Sequence, residues 1–426
     1  MNSKALPASL SEDISFWGMT ATQFLGAFND NLFKQLVLLL SLSAEFVGET
    51  ATTGRVDEQG MATYIFAAPF LLLTGIAGYL SDRFPKRRLI VACKLLEIVV
   101  MAAGFLAFLS IGNYGLSGLY AVLFLMGGQS ALFGPPKYGI LPEMLHDHDL
   151  PRANGTILMT TFLAIILGTA LAGILLQEFR HHLWILSAVC VAIAVVGTCT
   201  SLVIRHVPAA RPELGLSPSA FVIPGDMLRL LRRDASLLLA TVVSSIFWMV
   251  AALVPPSVNA LGMNQLHVGE AKTSYLSAAI GAGIAIGCAG GGLISGSAVN
   301  FRLVRIGGFG VVVSLAVLAI STAEGHVLGF WGSFPVLILL GIFTGLFAVP
   351  IQVFLQSRPP DGLKGRMIAV MNQANWVGVL IAGFYYEQIA TMLASWHAAP
   401  SWSFAFASAT MLPVVVLYRP KNELLV

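Results

Sequence analysis

Twelve stretches of this chain are long and apolar enough to cross a bilayer, and that repetition decides most of what it can fold into. A helix needs about 20 apolar residues to span roughly 30 Å of hydrocarbon. Runs of that kind fall at 15–43, 61–81, 89–110, 117–135, 153–177, 184–204, 236–258, 271–296, 303–322, 333–354, 368–392 and 401–418. In hydrocarbon every backbone N–H and C=O must be satisfied within the protein, so segments of this length are read as helices. Only 11% of the residues are charged and 57% are hydrophobic. A soluble domain carries about 25% charged residues, so this chain lacks the charge to cover a water-facing surface. The expected fold class is an all-α integral membrane protein with twelve transmembrane helices.

The basic residues set the expected orientation. With both termini on the cytoplasmic side, 19 of the 24 Lys and Arg residues fall in cytoplasmic segments. Arg55, Arg180 and Lys272 fall outside, and Lys34 and Lys94 lie within runs. That asymmetry satisfies the positive-inside rule. The first residues, "MNSKALPASLSEDI", lack the apolar core of a signal peptide. The net charge of +3 gives no reason to expect a nucleic-acid partner. Cys93, Cys190, Cys199 and Cys288 form no CxxC pair and read as small apolar side chains. "HDHD" at 146–149 reads as a solvated loop, since i and i+2 residues do not share a helix face. The chain has no G-x-S-x-G, Walker or His-x4-Asp pattern. No enzyme activity, cofactor or metal is expected.

An internal repeat orders the runs. A gapless shift of 214 residues places Gly78, Ser81, Arg88 and Leu89 on Gly292, Ser295, Arg302 and Leu303. It also places Leu132, Phe133 and Pro136 on Leu346, Phe347 and Pro350. The expected domains are two six-helix halves in parallel orientation, 1–204 and 236–426, joined by a cytoplasmic linker at 205–235. Repeats of this kind build transporters that rock about a midplane site. Within the linker, Met227, Leu230 and Leu231 fall opposite Arg229, Arg232 and Arg233, the pattern of a helix on the membrane surface.

Several motifs stand out against this background. "GYLSDRFPKRR", 78–88, offers Gly78 for close helix approach, Asp82 for a facing helix N-terminus, and Arg83, Arg87 and Arg88 for headgroups or acids. We expect these residues to gate the cytoplasmic side; in the second copy Gly296 replaces the acid. "FGPPKYGILPEML", 133–145, is expected to unwind at its double proline and place Lys137 and Tyr138 near a cavity. In "GAGIAIGCAGGGLISG", Gly283, Gly287 and Gly291 form a small-residue stripe for helix contact. Lys94 and Glu97 are three apart and read as a structural pair. Asn372 and Asn375 interrupt the eleventh run.

The costliest residues lie in "QFLGAFNDNLFKQLVLLL", 23–40. Asn29, Asp30, Asn31 and Lys34 sit mid-run, where a charge costs roughly 3 kcal/mol or more unless partnered or wet. Asp30 and Lys34 are one turn apart and are expected to pair. The equivalent positions of the seventh run are Val243, Ser244 and Ser245, so one half of a central cavity is charged and the other apolar.

Together, "QFLGAFNDNLFK", "PPKYGIL" and "IAVMNQANW" resemble the lysophospholipid transporter family of the major facilitator superfamily, over essentially all twelve runs. The 78–88 loop resembles the superfamily's signature loop, with Pro85 where the usual pattern has Gly. The resemblance implies movement of lysophospholipids from the outer to the inner leaflet of a bacterial inner membrane, for reacylation. It implies lysophospholipid and membrane lipid as partners, with a separate acyltransferase. It carries Asp30, Asn31, Lys137, Tyr138 and Asn372 over as substrate positions, beside Asn29, Lys34 and Asn375 read from the runs. The seventh run lacks the basic residue that some members carry there. A proton-coupled solute or drug transporter and an acyltransferase scaffold are the competing expectations.

Overall fold

The computed structural model describes residues 10–42, 57–146, 149–213, 225–295, 298–299, 301–322, 325–360, 364–419 and 423–424. Gly296, and Asp147 and His148 of the "HDHD" stretch, lie outside these residues. Long helices follow the apolar runs. They are α1 (Ile14–Leu40), α2 (Gln59–Arg83), α3 (Lys86–Leu109), α4 (Ser117–Gly139), α5 (Leu150–Glu178) and α6 (Trp184–Leu202). Then come α7 (Ala235–Ala260), α8 (Gly269–Ser295), α9 (Phe301–Leu318), α10 (Gly329–Ser357), α11 (Lys364–Ser395) and α12 (Trp402–Leu417). Ten of them, α2 to α11, are long and apolar enough to cross a membrane. At 27 residues α1 has the length, but its Asn, Asp, Lys and Gln residues dilute its apolar character. The last, α12, is a 16-residue apolar helix. The molecule is an all-α, multi-pass membrane protein, and among the described residues the β structure is confined to two-residue ladders.

Local chemistry explains where the helices begin and continue. Asp13 caps α1 by accepting from the backbone N–H groups of Ser15 and Phe16, and Asp234 caps α7 in the same way at Ser236 and Leu237. These carboxylates satisfy orphan donors and face the positive end of the helix dipole. The double prolines depart from expectation. The helix does not unwind at Pro135-Pro136: α4 runs on to Gly139, and Ile140 N–H still donates to the Pro136 carbonyl at 3.1 Å. Likewise α7 passes Pro255-Pro256 and loosens only at a π-turn, Leu261–Gln265. Each proline deletes one donor, and packed membrane helices tolerate that loss.

The helix pairs repeat. In the first bundle α1 packs on α5 and α6, α2 on α4, and α3 on α4 and α6; in the second α7 packs on α11 and α12, α8 on α10, and α9 on α10 and α12. The bundles meet through α5 on α8 and α2 on α11, two contacts related by the same exchange. Each helix presents apolar side chains outward. On α3, Leu95, Val99 and Leu106 form an exposed stripe while Lys94, Glu97 and Met101 are buried, the inverse of a soluble helix and the pattern lipid demands.

Small residues set the closest contact. A Cβ at Gly283 would lie 2.1 Å from the Ile338 carbonyl oxygen, and one at Gly341 would lie 2.2 Å from that of Ile280. The stripe on α8 therefore meets glycines of α10 backbone to backbone, as small-residue interfaces in lipid do. The linker helix Gly225–Arg233 differs from expectation. Met227 and Leu231 are buried in the core of the second bundle, so protein covers the apolar face expected to lie on the membrane.

Candidate transport pathway

Successive residues of α1 point about 100° apart, so Asn29, Asp30, Asn31 and Lys34 reach different neighbours. Asn29 is fully buried inside the first bundle. Its amide donates to Glu97 Oε1 at 2.9 Å and to the Cys190 carbonyl at 3.2 Å. This corrects its expected place in the cavity: Asn29 is a second partner of the buried Lys94–Glu97 ion pair. Gln129 approaches the same carboxylate at 3.5 Å and donates to the Cys93 carbonyl at 3.2 Å. Gly197 makes room for the lysine, since a Cβ there would lie 2.8 Å from Lys94 Cε.

Asp30 and Lys34 do not pair, contrary to expectation. Asp30 Oδ2 accepts from the Ser130 hydroxyl of α4, which also lies 3.1 Å from Gln129 Oε1. Ser130 thus stands between Asp30 and Gln129, beside the buried pair, and its single hydroxyl proton goes to Asp30. Lys34 turns to α2, where its ammonium stands 4.9 Å from the Phe66 ring centroid, a cation–π contact. Phe66 in turn meets Trp376 of α11 edge-on, and Trp376 stacks on Phe70 at 3.8 Å.

Asn31 and Lys34 open onto a cavity between the bundles, about 760 Å³ of empty space with its open mouth included. One wall is polar, formed by Asn31, Lys34 and Gln35 of α1. The facing wall is apolar, with Ile165 on α5, Ile280 and Ile284 on α8 and Leu340 on α10; Thr169, Ser277 and Thr344 add hydroxyls. The polar side chains expected from the fourth and eleventh runs do not line it. Lys137 stands 4.9 Å from its neighbour's ring, and Tyr138 is exposed near the end of α4. Asn372 and Asn375 line a separate pocket of about 390 Å³ with Ser244, Trp248 and Gln352, where Ser244 donates to Asn375 at 2.9 Å.

The 78–88 stretch, in which only Phe84 and Pro85 lie between α2 and α3, is only partly engaged. A Cβ on Gly78 would meet nothing within 4 Å, so the expected close approach is absent here. Among the described residues the Asp82 side chain makes no hydrogen bond or ion pair, and so does not meet a helix N-terminus; its carbonyl accepts from Arg211 N–H at 2.9 Å. Arg83 reaches the Tyr79 hydroxyl, Arg87 donates to the Leu202 carbonyl at 2.8 Å, and Arg88 is exposed. Lys86 pairs with Glu143.

At the opposite end, where α1 finishes and α2 begins, polar side chains join the bundles. Gln35 donates to Asn259 at 2.8 Å, Asn259 to Gln59 at 2.9 Å, and Gln59 to the Pro256 carbonyl at 3.0 Å. Tyr386 of α11 donates to Asp57 at 2.5 Å, and Arg180 pairs with Glu270 at 3.0 Å. Sequence reasoning missed this lock and Ser130. The available signal was the string of Gln and Asn residues in or beside the runs, at 35, 59, 129 and 259.

The lock carries a pH expectation. Burial pushes the Asp57 carboxyl up to about 6, against the hydrogen bonds from Tyr386 and Gln59; Glu58 beside it adds to the rise. A carboxyl raised in the closed form binds its proton more tightly there. Closure is therefore favoured below the ordinary carboxylate pKa of about 4 and loses that support as pH rises to about 6. Spin labels on α2 and α11 should show this end opening more often across that window. Asp57→Asn should flatten the dependence; an unchanged profile in that variant would remove Asp57 as its source.

The fold and the central cavity define a membrane transporter, and comparison supplies the family. The sequence profile of the Major Facilitator Superfamily matches residues 16–383. The chain belongs to that superfamily. Among individual proteins, it is 29% identical to the lysophospholipid transporter LplT of Enterobacter sp. (strain 638), over 86% of this chain and 87% of the relative. It is 28% identical to the lysophospholipid transporter LplT of Serratia proteamaculans (strain 568), over 87% of each. The fold matches a POT family transporter solved with a thioalcohol-conjugated peptide, with a TM-score of 0.73, 12% identity and 94% of each chain covered. It also matches a bacterial homologue of the iron transporter ferroportin in an inward-facing state, with a TM-score of 0.67, 14% identity, and 96% of this chain and 99% of that one covered.

Proposed function

We propose that this protein carries lysophospholipids from the outer to the inner leaflet of a bacterial inner membrane, by alternating access between bundles 1–204 and 236–426. The observation that carries the reading is the cavity, with amide and ammonium groups along α1 and mainly apolar side chains, broken by the hydroxyls of Thr169, Ser277 and Thr344, along α5, α8 and α10. A small hydrophilic solute would leave polar groups unpaired against that apolar wall, at a cost of several kcal/mol. A single-chain lipid needs polar contacts only at its head. The names of the similar transporters point the same way.

The distribution of basic residues supports both termini in the cytoplasm. On that orientation the lock formed by Gln35, Gln59, Asn259 and Tyr386 lies on the outer side, which supports reading this arrangement as inward-facing. Asp82, Arg83, Arg87 and Arg88 serve the other gate: Asp82 is free for a partner when the cytoplasmic side closes. A separate acyltransferase would consume the delivered lipid. Purified protein in liposomes tests the reading. Fluorescent lysophospholipid should cross faster than in empty vesicles, with double-chain phospholipid and sugars left behind. Saturable sugar or amino-acid uptake without lysolipid movement would overturn it.

A further inference from the structure

We propose that Lys34 is the group that recognises phosphate in this cavity, selecting single-chain lipids that carry a phosphodiester over uncharged ones. The inference rests on the transport reading above. Lys34 is the charged residue among those lining the cavity. Among the described residues no carboxylate pairs with it, and the nearby acid, Asp30, turns its Oδ2 to Ser130 instead. The Phe66 ring holds the ammonium from one side without using its N–H donors, which leaves them for an acceptor. A cation at this depth is costly unless an anion joins it.

The neighbouring groups define the anion. Gln35 is spent on Asn259 and Ser274, and the Asn31 amide on the Ala27 carbonyl, so the α1 wall offers one cation and the Asn31 carbonyl oxygen. Thr169 and Thr344 add hydroxyls to the lining, while the Ser277 hydroxyl goes to Asn259 at 3.3 Å. A bare carboxylate would use few of these groups. A phosphodiester with its glycerol hydroxyl presents both an anion for Lys34 and a donor for Asn31. The apolar residues of α5, α8 and α10 then take one chain.

The test uses full-length protein in liposomes, comparing lysophosphatidylglycerol with monoacylglycerol of the same chain length. A hydrogen bond to a charged group corresponds to about tenfold or more in affinity. Lys34→Gln should therefore raise the half-saturating concentration of lysophosphatidylglycerol about tenfold or more and shrink its advantage over monoacylglycerol by the same factor. Lys34→Arg should restore most of the difference, since the charge is kept. Glycerol 3-phosphate should compete with the lysolipid in wild-type protein and lose that effect in Lys34→Gln; inorganic phosphate that competes equally would show that the site reads free phosphate without the lipid. Lysolipid movement with unchanged half-saturation in Lys34→Gln would overturn this inference and spare the transport reading. Equal losses for both lipids would make Lys34 a structural prop for Phe66, which also overturns it. Wild-type protein that moves no lysolipid would sink both.

Discussion

Glu97→Ala should strip the protein from the membrane, with a destabilisation of about 3–5 kcal/mol, as expected for a buried charge that loses its partner. Lys94 and Glu97 are both about 1% exposed, and they lie among α1, α4 and α6 with no water-facing side. Removing the carboxylate leaves an ammonium that Gly197 and Gly26 confine. It also deprives the amides of Asn29 and Gln129 of one of their two acceptors each. The double variant Lys94→Met/Glu97→Leu should recover most of the folded yield, because replacing a buried pair with apolar side chains of similar size is often neutral or better. Size-exclusion profiles of detergent extracts with thermal challenge would read both. A single variant as stable as wild type would show the pair to be dispensable.

Gly341→Leu should be as damaging, for a steric reason. A Cβ there would lie 2.2 Å from the Ile280 carbonyl oxygen and 2.8 Å from Gly283 Cα. Both atoms are backbone, so no rotamer change relieves the clash and α8 and α10 must part. Gly291→Ala on the same stripe is the control, since the nearest atom to its Cβ would be 3.7 Å away, ordinary contact. Folded yield should fall sharply for Gly341→Leu and hold for Gly291→Ala. Equal yields would show that the two helices can separate without loss.

The sequence exposed some of this and hid the rest for identifiable reasons. Span positions, the glycine stripe on α8 and the Lys94–Glu97 pair were legible because each depends on spacing within one helix. Their partners were not: Gly341 and Ile338 meet the stripe from a different run. Residue by residue, α1 shows the limit best. Its polar positions were plain, but which neighbour each would face depends on the packing of α2, α3 and α4 around it. Asn29 therefore went to Glu97, Asp30 to Ser130 and Lys34 to Phe66, where i,i+4 spacing alone suggested an Asp30–Lys34 pair. The lock was hidden for the same reason, since Gln35 and Asn259 are 224 residues apart and Tyr386 and Asp57 are 329 apart.

Leaflet-resolved lysophospholipid transport through a blocked and an open cavity tests the central claim most directly. Ala251 and Thr344 line the cavity, and neither belongs to the lock or the buried pair. Liposomes containing wild-type protein should move fluorescent lysophosphatidylglycerol from the outer leaflet inward, scored by back-extraction with albumin. Protein carrying Ala251→Trp should fold, as judged by size exclusion, and move little or none, because the indole fills the space a lipid must cross. Equal movement by both proteins would contradict the claim that this cavity is the path, and so would movement of sugars but not lysolipid by the wild type.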